Sequence, residues 1–447
     1  MTKEGKIQLI KYAPPPPELP MLGKVNSSDT SFIGRTNYVA GLEEKRFIFG
    51  IKRVDRKRHI YTIGKSGVGK SKFFELLIRQ DIAYKKGICV IDPHGDVISD
   101  LLDCIPEERI KDVCLIDPSD SEFPVSFNPF SNIDPMFRHQ LAQGFIEIMK
   151  KQFDVTWTPR IEHIFRFSIL ALLDYPDVAM MGMISILTDD EFRLRVVPHI
   201  KDTMVKKFWS IEFSDWSQKY ETEAIIPLVN KLSQFLSNPF LRNIFIQREN
   251  KIDFEALMNG EKIILINLSK GKIGEENANF LGSMFIAKIK QAGMMRASIP
   301  EWGRRDFYVY IDEFQNLVTE TFENLLSESR KYGICLTISH QYMGQLSNKM
   351  HAAIIGSVGS IVIFRVGGED AARLEVEMTP IFKAKDMINL GVQEFYIKMT
   401  IDGETHDPFS ADTLKVLPSP GNSMREAILR ISREHFAITR AQAEMMI

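Results

Sequence analysis

At 447 residues, with 44% hydrophobic and 26% charged side chains, the chain has the make-up of a globular protein able to bury a large core, and its length fits two to three domains. The 56 lysines and arginines against 58 aspartates and glutamates leave a formal charge of −2, which excludes the global basic field of a passive DNA coat but not a motor whose contacts line a channel. Four cysteines, Cys89, Cys104, Cys114 and Cys335, show no CxxC spacing and no paired histidine, which excludes a sequence-encoded zinc site and suits a reducing compartment.

The first 30 residues read as an accessory tether, because Pro14, Pro15, Pro16 and Pro17 favour extended polyproline II structure. They lack the apolar run of a secretory signal. No later stretch reaches the roughly 18 to 20 uninterrupted apolar residues that cross a bilayer; residues 280–295 are interrupted by Lys288 and Lys290. Residues 52–58 then bring five basic side chains, either a solvated edge or a contact with phosphates of DNA or of a nucleotide across a subunit boundary.

Residues 59–63, His-Ile-Tyr-Thr-Ile, predict a strand, and Gly64, Lys65, Ser66, Gly67, Val68, Gly69, Lys70 and Ser71 follow it. These eight match the phosphate-binding pattern GxxxxGK[ST]. The glycines let backbone N–H groups turn inward around phosphates, Lys70 reaches the β and γ oxygens, and the Ser71 hydroxyl is placed to ligate Mg2+. Residues 72–86 carry Phe73, Leu76, Leu77, Ala83 and Tyr84 at helical spacing, with Gly87 as the expected stop and a strand over 88–92. Strand, loop, helix and strand are the required context, and ATP is the expected ligand.

From about residue 134 to 250 the pattern becomes mostly helical, with apolar residues at three and four spacing in 137–151 and 160–173. Strand signals return at 262–267, followed by Lys270 and Lys272, which are either channel-facing DNA contacts or a solvated loop. The strand 307–311 ends in Asp312 and Glu313. Two carboxylates there suit phosphoryl transfer, the first ordering the Mg2+ shell and the second polarising the attacking water. Residues 321–332 predict a helix capped by Gly333, and 334–338 a buried strand leading to Ser339, His340 and Gln341. Gln341 sits where such sheets bind ligands and is the expected γ-phosphate sensor, with loop capping as its alternative; His340 reads as structural. Arg330 and Arg365 are the two candidates to neutralise transition-state charge, with a surface salt bridge as the alternative for either. A final strand and turn are expected over 395–404, with Asp402 and Gly403 turning the chain.

The domain reading is therefore an N-terminal extension over 1–45, a nucleotide-binding domain over 46–133 and 251–415, an inserted all-α domain over 134–250, and a C-terminal helical tail over 416–447.

Together the phosphate loop, the run Ile91, Asp92, Pro93, His94, Gly95, Asp96, the run Ile311, Asp312, Glu313, Phe314, the run Ser329, Arg330, Lys331, Tyr332, Gly333, and the strand leading to Gln341 resemble the coupling-protein ATPases of type IV secretion and conjugation. These stand within the wider group of hexameric DNA-pumping ATPases, and the resemblance covers most of residues 58–414 in the family's order. It implies an α/β fold, a RecA-like P-loop NTPase core with a mainly parallel sheet and an inserted all-α domain. It also implies ATP and Mg2+ as cofactors, DNA as partner, a homo-hexameric ring, and a relaxase or secretion-channel proteins as further partners.

Residue by residue, the resemblance implies that Lys70 and Ser71 hold phosphate and Mg2+, that Asp312 and Glu313 are the acidic pair, and that Gln341 senses the γ-phosphate. It favours Arg330 over Arg365 as the arginine acting on a neighbouring subunit's nucleotide. Arg58 occupies the place of an arginine that recurs before the phosphate-loop strand, Asp92 arranges metal or water, and His94 shapes its turn. Family members usually begin with membrane-spanning helices and none is predicted here, so a cytoplasmic protein recruited to the inner membrane face by a partner is expected. Two competing functions share the nucleotide site: a secretion or pilus-assembly ATPase acting on protein, and a nucleotide-dependent assembly module. Glu313 speaks against the module, which has no need of a water-activating carboxylate.

Overall fold

The computed structural model describes residues 10–39, 46–131, 133–153, 156–419, 421 and 423–446. Residues 1–9 and 40–45 of the expected extension, and Ile447 of the tail, lie outside the described residues. Among the described residues twelve strands form one sheet: β1 (Thr30–Thr36), β2 (Ile48–Lys52), β3 (Ile60–Ile63), β4 (Gly87–Asp92), β5 (Val113–Ile116), β6 (Ile263–Asn267), β7 (Phe307–Ile311), β8 (Ile334–His340), β9 (Ser360–Ile363), β10 (Glu394–Ile401), β11 (Glu404–Thr405) and β12 (Phe409–Thr413). The main path runs β2-β1-β12-β10-β9-β3-β8-β7-β4-β6-β5, with β11 paired to β10. From β9 to β5 every pairing is parallel, and from β9 to β2 every pairing is antiparallel. The fold is an α/β P-loop NTPase core.

Because successive side chains on a strand point to opposite faces, each parallel strand feeds two cores. Val309 and Ile311 of β7, with Leu336 and Ile338 of β8, face a core continuous with the helices of residues 138–245. Tyr308, Tyr310 and Cys335 face the other core, beneath the helix Lys70–Ala83. Strands buried on both faces read as unbroken apolar runs, as these do. The helical segment is anchored by the helix Arg138–Phe153, whose Phe145 and Met149 share one core with Phe285 and Ile289 of the helix Glu275–Met295. The two helices predicted over 137–151 and 160–173 are found at Arg138–Phe153 and Pro159–Leu172.

Several local expectations need correction. Gly87 does not stop the helix. The left-handed residue is Lys85 (φ 55°), and Gly87 opens β4, where a Cβ would lie 2.7 Å from the Phe307 ring. The hairpin at Asp402 and Gly403 forms as expected, both with positive φ, yet its strand is not the last: β12 follows and joins the sheet to β1.

Nor is the proline-rich segment a free tether over its described part. Ala13 is buried and its N–H donates to Ser410 Oγ at 3.0 Å, while the Tyr396 hydroxyl donates to the Lys11 carbonyl at 2.9 Å. A proline segment can lie along a sheet because it leaves no ladder N–H unpaired. The tail helix Arg425–Phe436 covers the opposite sheet edge, where Ser432 Oγ accepts the Leu115 N–H of β5 at 3.2 Å and donates to Val113 O at 3.4 Å. Covering an edge strand in this way removes a template for unwanted pairing.

Candidate nucleotide site and arginine edge

β3, β4, β7 and β8 are parallel and end on one side of the sheet, so the residues that follow them meet there. The phosphate loop leaves β3 and enters the helix Lys70–Ala83 through Gly69, whose φ of 118° few residues other than glycine adopt. Gly64 is required by space, since a Cβ would lie 2.6 Å from Phe364 Cβ. The loop is tied to the far strand by the Lys65 N–H, which donates to Arg365 O at 2.9 Å, and by the Gln393 N–H, which donates to Val68 O at 3.0 Å.

The buried Lys70 ammonium donates to Gly64 O at 2.6 Å and Lys65 O at 3.1 Å, and burial holds its pKa below the ordinary lysine value despite Asp312 and Glu313. Ser71 Oγ faces Asp312 Oδ2 at 3.4 Å. Asp312 also accepts a short hydrogen bond from Ser339 Oγ and the Glu313 N–H at 3.0 Å. Burial raises the Asp312 carboxyl, with the neighbouring Glu313 and Asp92 adding to the rise and the Ser339 hydrogen bond and Lys70 opposing it.

Glu313, 7% exposed, has the left-handed φ of 48°, a costly conformation for a residue with a Cβ. Its Oε1 accepts from Gln341 Nε2 at 2.8 Å and its Oε2 from Gln315 Nε2 at 2.8 Å. Beneath them His340 is fully buried against the Tyr61 hydroxyl at 2.5 Å, and burial drives its imidazole down to about 3, which suits the structural reading.

Asp92 lies at this edge but is occupied. Its two oxygens accept the backbone N–H groups of His94 (3.0 Å) and Ile98 (3.1 Å), so it braces the loop and the helix Asp96–Leu102. Lys270 and Lys272 are on the short helix Lys270–Ile273 after β6, with Lys272 exposed and the Lys270 N–H bonded to Pro93 O at 2.9 Å. Ser66 and Gly67 stand at the exposed loop tip, with open space beside Gly67.

The residues fit a triphosphate with Mg2+: a glycine-bearing loop at a helix N-terminus, a desolvated ammonium, and a hydroxyl 3.4 Å from a half-buried carboxylate. Among the described residues no group of three or more His, Cys, Asp or Glu side chains could hold a metal by itself. Ser71 and Asp312 would therefore share Mg2+ with phosphate oxygens.

The structure separates Arg330 and Arg58 from this site. Arg330 is on the turn Ser329–Tyr332 that precedes β8, and Arg58 precedes β3, so both stand at the amino ends of strands whose carboxyl ends carry the phosphate loop and Gln341. Six steps along β8 at about 3.3 Å each put the two edges about 20 Å apart. Arg330 is exposed; its carbonyl accepts the Gly333 N–H at 3.1 Å, but its guanidinium has no hydrogen-bond or ion-pair partner among the described residues. Arg365, by contrast, follows β9 beside this chain's own phosphate loop.

The basic run 52–58 is neither a solvated edge nor a phosphate contact as a whole. Arg53 and Arg56 are buried and both pair with Asp81, which is 0% exposed. Arg56 also donates to Tyr310 Oη at 2.7 Å and lies 4.1 Å from the Tyr308 ring centre. Sequence reading missed Asp81, whose place in an amphipathic helix signals nothing. It also passed over Gln315, whose spacing of two from Glu313 was the available signal.

Comparison with known proteins places this geometry. The model of the type IV secretion-system coupling protein DNA-binding domain matches residues 50–379. The bacterial conjugative coupling protein TrwBdeltaN70 has a similar fold, with a TM-score of 0.62 at 13% identity over 84% of this chain and 89% of that one. TrwB in complex with ADP and Mg2+ aligns with a TM-score of 0.60 at 14% identity over 84% and 89%. VirB4 of Thermoanaerobacter pseudethanolicus aligns with a TM-score of 0.54 at 11% identity over 80% and 89%. Compared directly with curated protein sequences, the chain matches none. The family model spans well over half of the chain, and the chain belongs to the type IV secretion-system coupling proteins of the P-loop ATPase class.

Proposed function

We propose that this chain is an ATP-driven DNA motor, in which copies assemble into a ring, hydrolyse ATP at sites completed by a neighbouring copy, and convert hydrolysis into movement along DNA. The observation that carries the reading is the split arrangement of catalytic groups: Glu313 and Gln341 are joined at the phosphate-loop edge, while an unpaired Arg330 stands on the opposite edge. ATP and Mg2+ are the cofactors, in keeping with a fold relative that carries ADP and Mg2+.

Lys70 exchanges its carbonyl partners for β and γ oxygens of ATP, and the loop N–H groups from Ser66 to Ser71 cradle the phosphates while the Lys65 N–H stays tied to Arg365 O. Ser71 and Asp312 would hold Mg2+, which would supply charge neutralisation at the phosphate oxygens. Gln341 turns from Glu313 to the γ-phosphate, which frees Oε1 of Glu313 to orient and deprotonate a water. Arg330 of the adjoining copy neutralises the charge that develops on the transferred group.

We place the nucleotide-binding domain at 46–133 and 251–415, the inserted all-α domain at 134–250 and a covering tail at 416–447. Asp92 acts by bracing its loop, and Arg58 lies on the arginine edge. Lys270 and Lys272 are the proposed channel contacts to DNA. A relaxase or secretion-channel protein would deliver or receive the DNA. Among the described residues no helix is long and apolar enough to cross a membrane; we place the protein in the cytoplasm, recruited to the inner membrane face by a partner.

Steady-state ATP hydrolysis with and without single- and double-stranded DNA, using Lys70→Ala as the blank, tests the motor. DNA stimulation absent from the variant is expected. Robust hydrolysis by assembled rings that ignores DNA would overturn it in favour of a protein-handling secretion ATPase.

A further inference from the structure

Among the described residues Trp302 is the most exposed of the large apolar side chains, at 90%, on the turn Glu301–Gly303. Its neighbours Glu301 and Arg304 line a cleft of about 560 Å3 together with Lys57, Arg330 and Lys331. The cations of that cleft are mostly spoken for. Lys57 pairs with Asp306 at 3.1 Å, Lys331 with Glu328 at 3.5 Å, and Arg304 is bonded to the carbonyls of Arg296, Ile299 and Lys331. Only the Arg330 guanidinium is left without a partner. An exposed tryptophan beside a free arginine has the composition of an interface hot spot rather than of a surface meant for water.

The opposite edge of the same molecule offers what these two residues lack. Tyr342, directly after Gln341, is 52% exposed, and Val392, directly before the Gln393 that holds the phosphate loop, is 60% exposed. Ile388, 39% exposed, has its Cδ1 4.0 Å from where a Cβ on Gly368 would lie, and a Cβ on the adjoining Gly367 would lie 3.9 Å from Lys65 Cε. Three apolar side chains thus rim the place where a triphosphate would put its negative charge. One edge carries an apolar knob and a free cation, and the other an apolar rim and an anion. Two such unlike, complementary edges on one chain generate a head-to-tail contact, which closes into a ring when the rotation permits.

We propose that Trp302 is the apolar anchor of the contact between copies, seated against the rim of Tyr342, Ile388 and Val392 on the next copy so that Arg330 is delivered to that copy's nucleotide. The inference rests on the reading that the nucleotide site is completed in trans, and it names the residues that hold the two copies in register.

The test is the oligomeric state of the full chain with Mg2+ and a non-hydrolysable ATP analogue, followed by mass photometry across a concentration series. Trp302→Ala shifts the assembly midpoint at least about tenfold toward monomer, as loss of a hot-spot residue does. Its thermal melt and monomer nucleotide binding are unchanged, because Trp302 is 90% exposed and buries little of its own chain. Arg330→Ala loses turnover but shifts the assembly midpoint less than Trp302→Ala does, which separates the anchor from the catalytic group. Mixed Trp302→Cys and Val392→Cys chains give a disulfide-linked dimer under mild oxidation, whereas either variant alone does not. Unchanged assembly of Trp302→Ala together with no mixed crosslink overturns the contact, as does a wild-type chain that stays monomeric with nucleotide and DNA. Trp302-dependent rings whose hydrolysis ignores DNA would uphold the contact while sinking the motor.

Discussion

Gln341 Nε2 donates to Glu313 Oε1 at 2.8 Å, so the residue proposed to sense the γ-phosphate holds the residue proposed to activate water. A glutamate kept in a left-handed conformation and bound by amides on both oxygens is restrained until one amide finds another acceptor. Glu313→Gln is expected to lower turnover by about 10²- to 10⁴-fold while ATP still binds. Gln341→Ala should also lower turnover, but with a smaller change in ATP affinity than Lys70→Ala produces. Single-turnover hydrolysis beside fluorescent-nucleotide titration reads both. Near-normal turnover in Glu313→Gln would remove this carboxylate from the mechanism.

Arg330 lies about 20 Å from its own phosphate loop, by the strand rise along β8, and so acts on a neighbour or not at all. Arg330→Ala and Glu313→Gln should each be inactive alone. Mixed in equal amounts, they should recover about one quarter of wild-type turnover, because one interface in four then joins an intact Glu313 to an intact Arg330 in a head-to-tail ring. Arg365 lies beside its own phosphate loop, so any turnover lost in Arg365→Ala is lost within that chain, and mixing it with Glu313→Gln should give no more than the average of the two variants alone. No rescue with Arg330→Ala would rule out action in trans.

Asp81 joins Arg53 and Arg56 under the nucleotide-binding helix, with all three side chains buried. Removing one partner of a buried ion pair leaves charge without compensation. Asp81→Ala should lose about 3–5 kcal/mol of stability, measured by urea unfolding. A loss below about 1 kcal/mol, the size of an exposed pair, would contradict this account.

His59 gives the fold an acid-sensitive joint. Its Nε2–H donates to Leu326 O at 3.0 Å and its Nδ1 accepts the Leu336 N–H at 3.1 Å, which fits the neutral ring. Burial, with a smaller contribution from Arg330, pushes the imidazole down to about 4. An unfolded histidine titrates near 6.5, so between these values the unfolded chain binds more protons than the folded one. Its contribution to stability is therefore whole above about pH 6.5 and falls as pH drops toward 4, by about 3 kcal/mol in all. His59→Asn, which tolerates the φ of 64°, should flatten the acid limb when urea unfolding at pH 7 and pH 4.5 is compared. An acid limb as steep as the wild type's would assign the sensitivity to other groups.

Much of the nucleotide edge was legible because each part is local. The phosphate loop, the Asp312 and Glu313 pair and the strand ending near Gln341 are contiguous stretches whose backbone geometry follows from their own residues. Less legible were features in which one side chain meets another from far along the chain. The Ala13 to Ser410 contact and the pairing of β1 with β12 turn an apparent tether into part of the sheet, and no spacing within residues 10–36 announces partners almost 400 positions away.

The sequence by itself determined that this chain folds as a P-loop core and where the phosphates of a nucleotide would lie, because glycine conformation, strand periodicity and a lysine one residue before a serine act over a few neighbouring residues. Only the tertiary structure decided what the arginines do. Arg53 and Arg56 lie two positions or more from Arg58 in the same basic run, yet they turn inward to Asp81 while Arg330 stays free on the surface. The physical reason is that a charge can be buried only against a partner, and which charge has one depends on elements that the sheet brings together from distant parts of the chain.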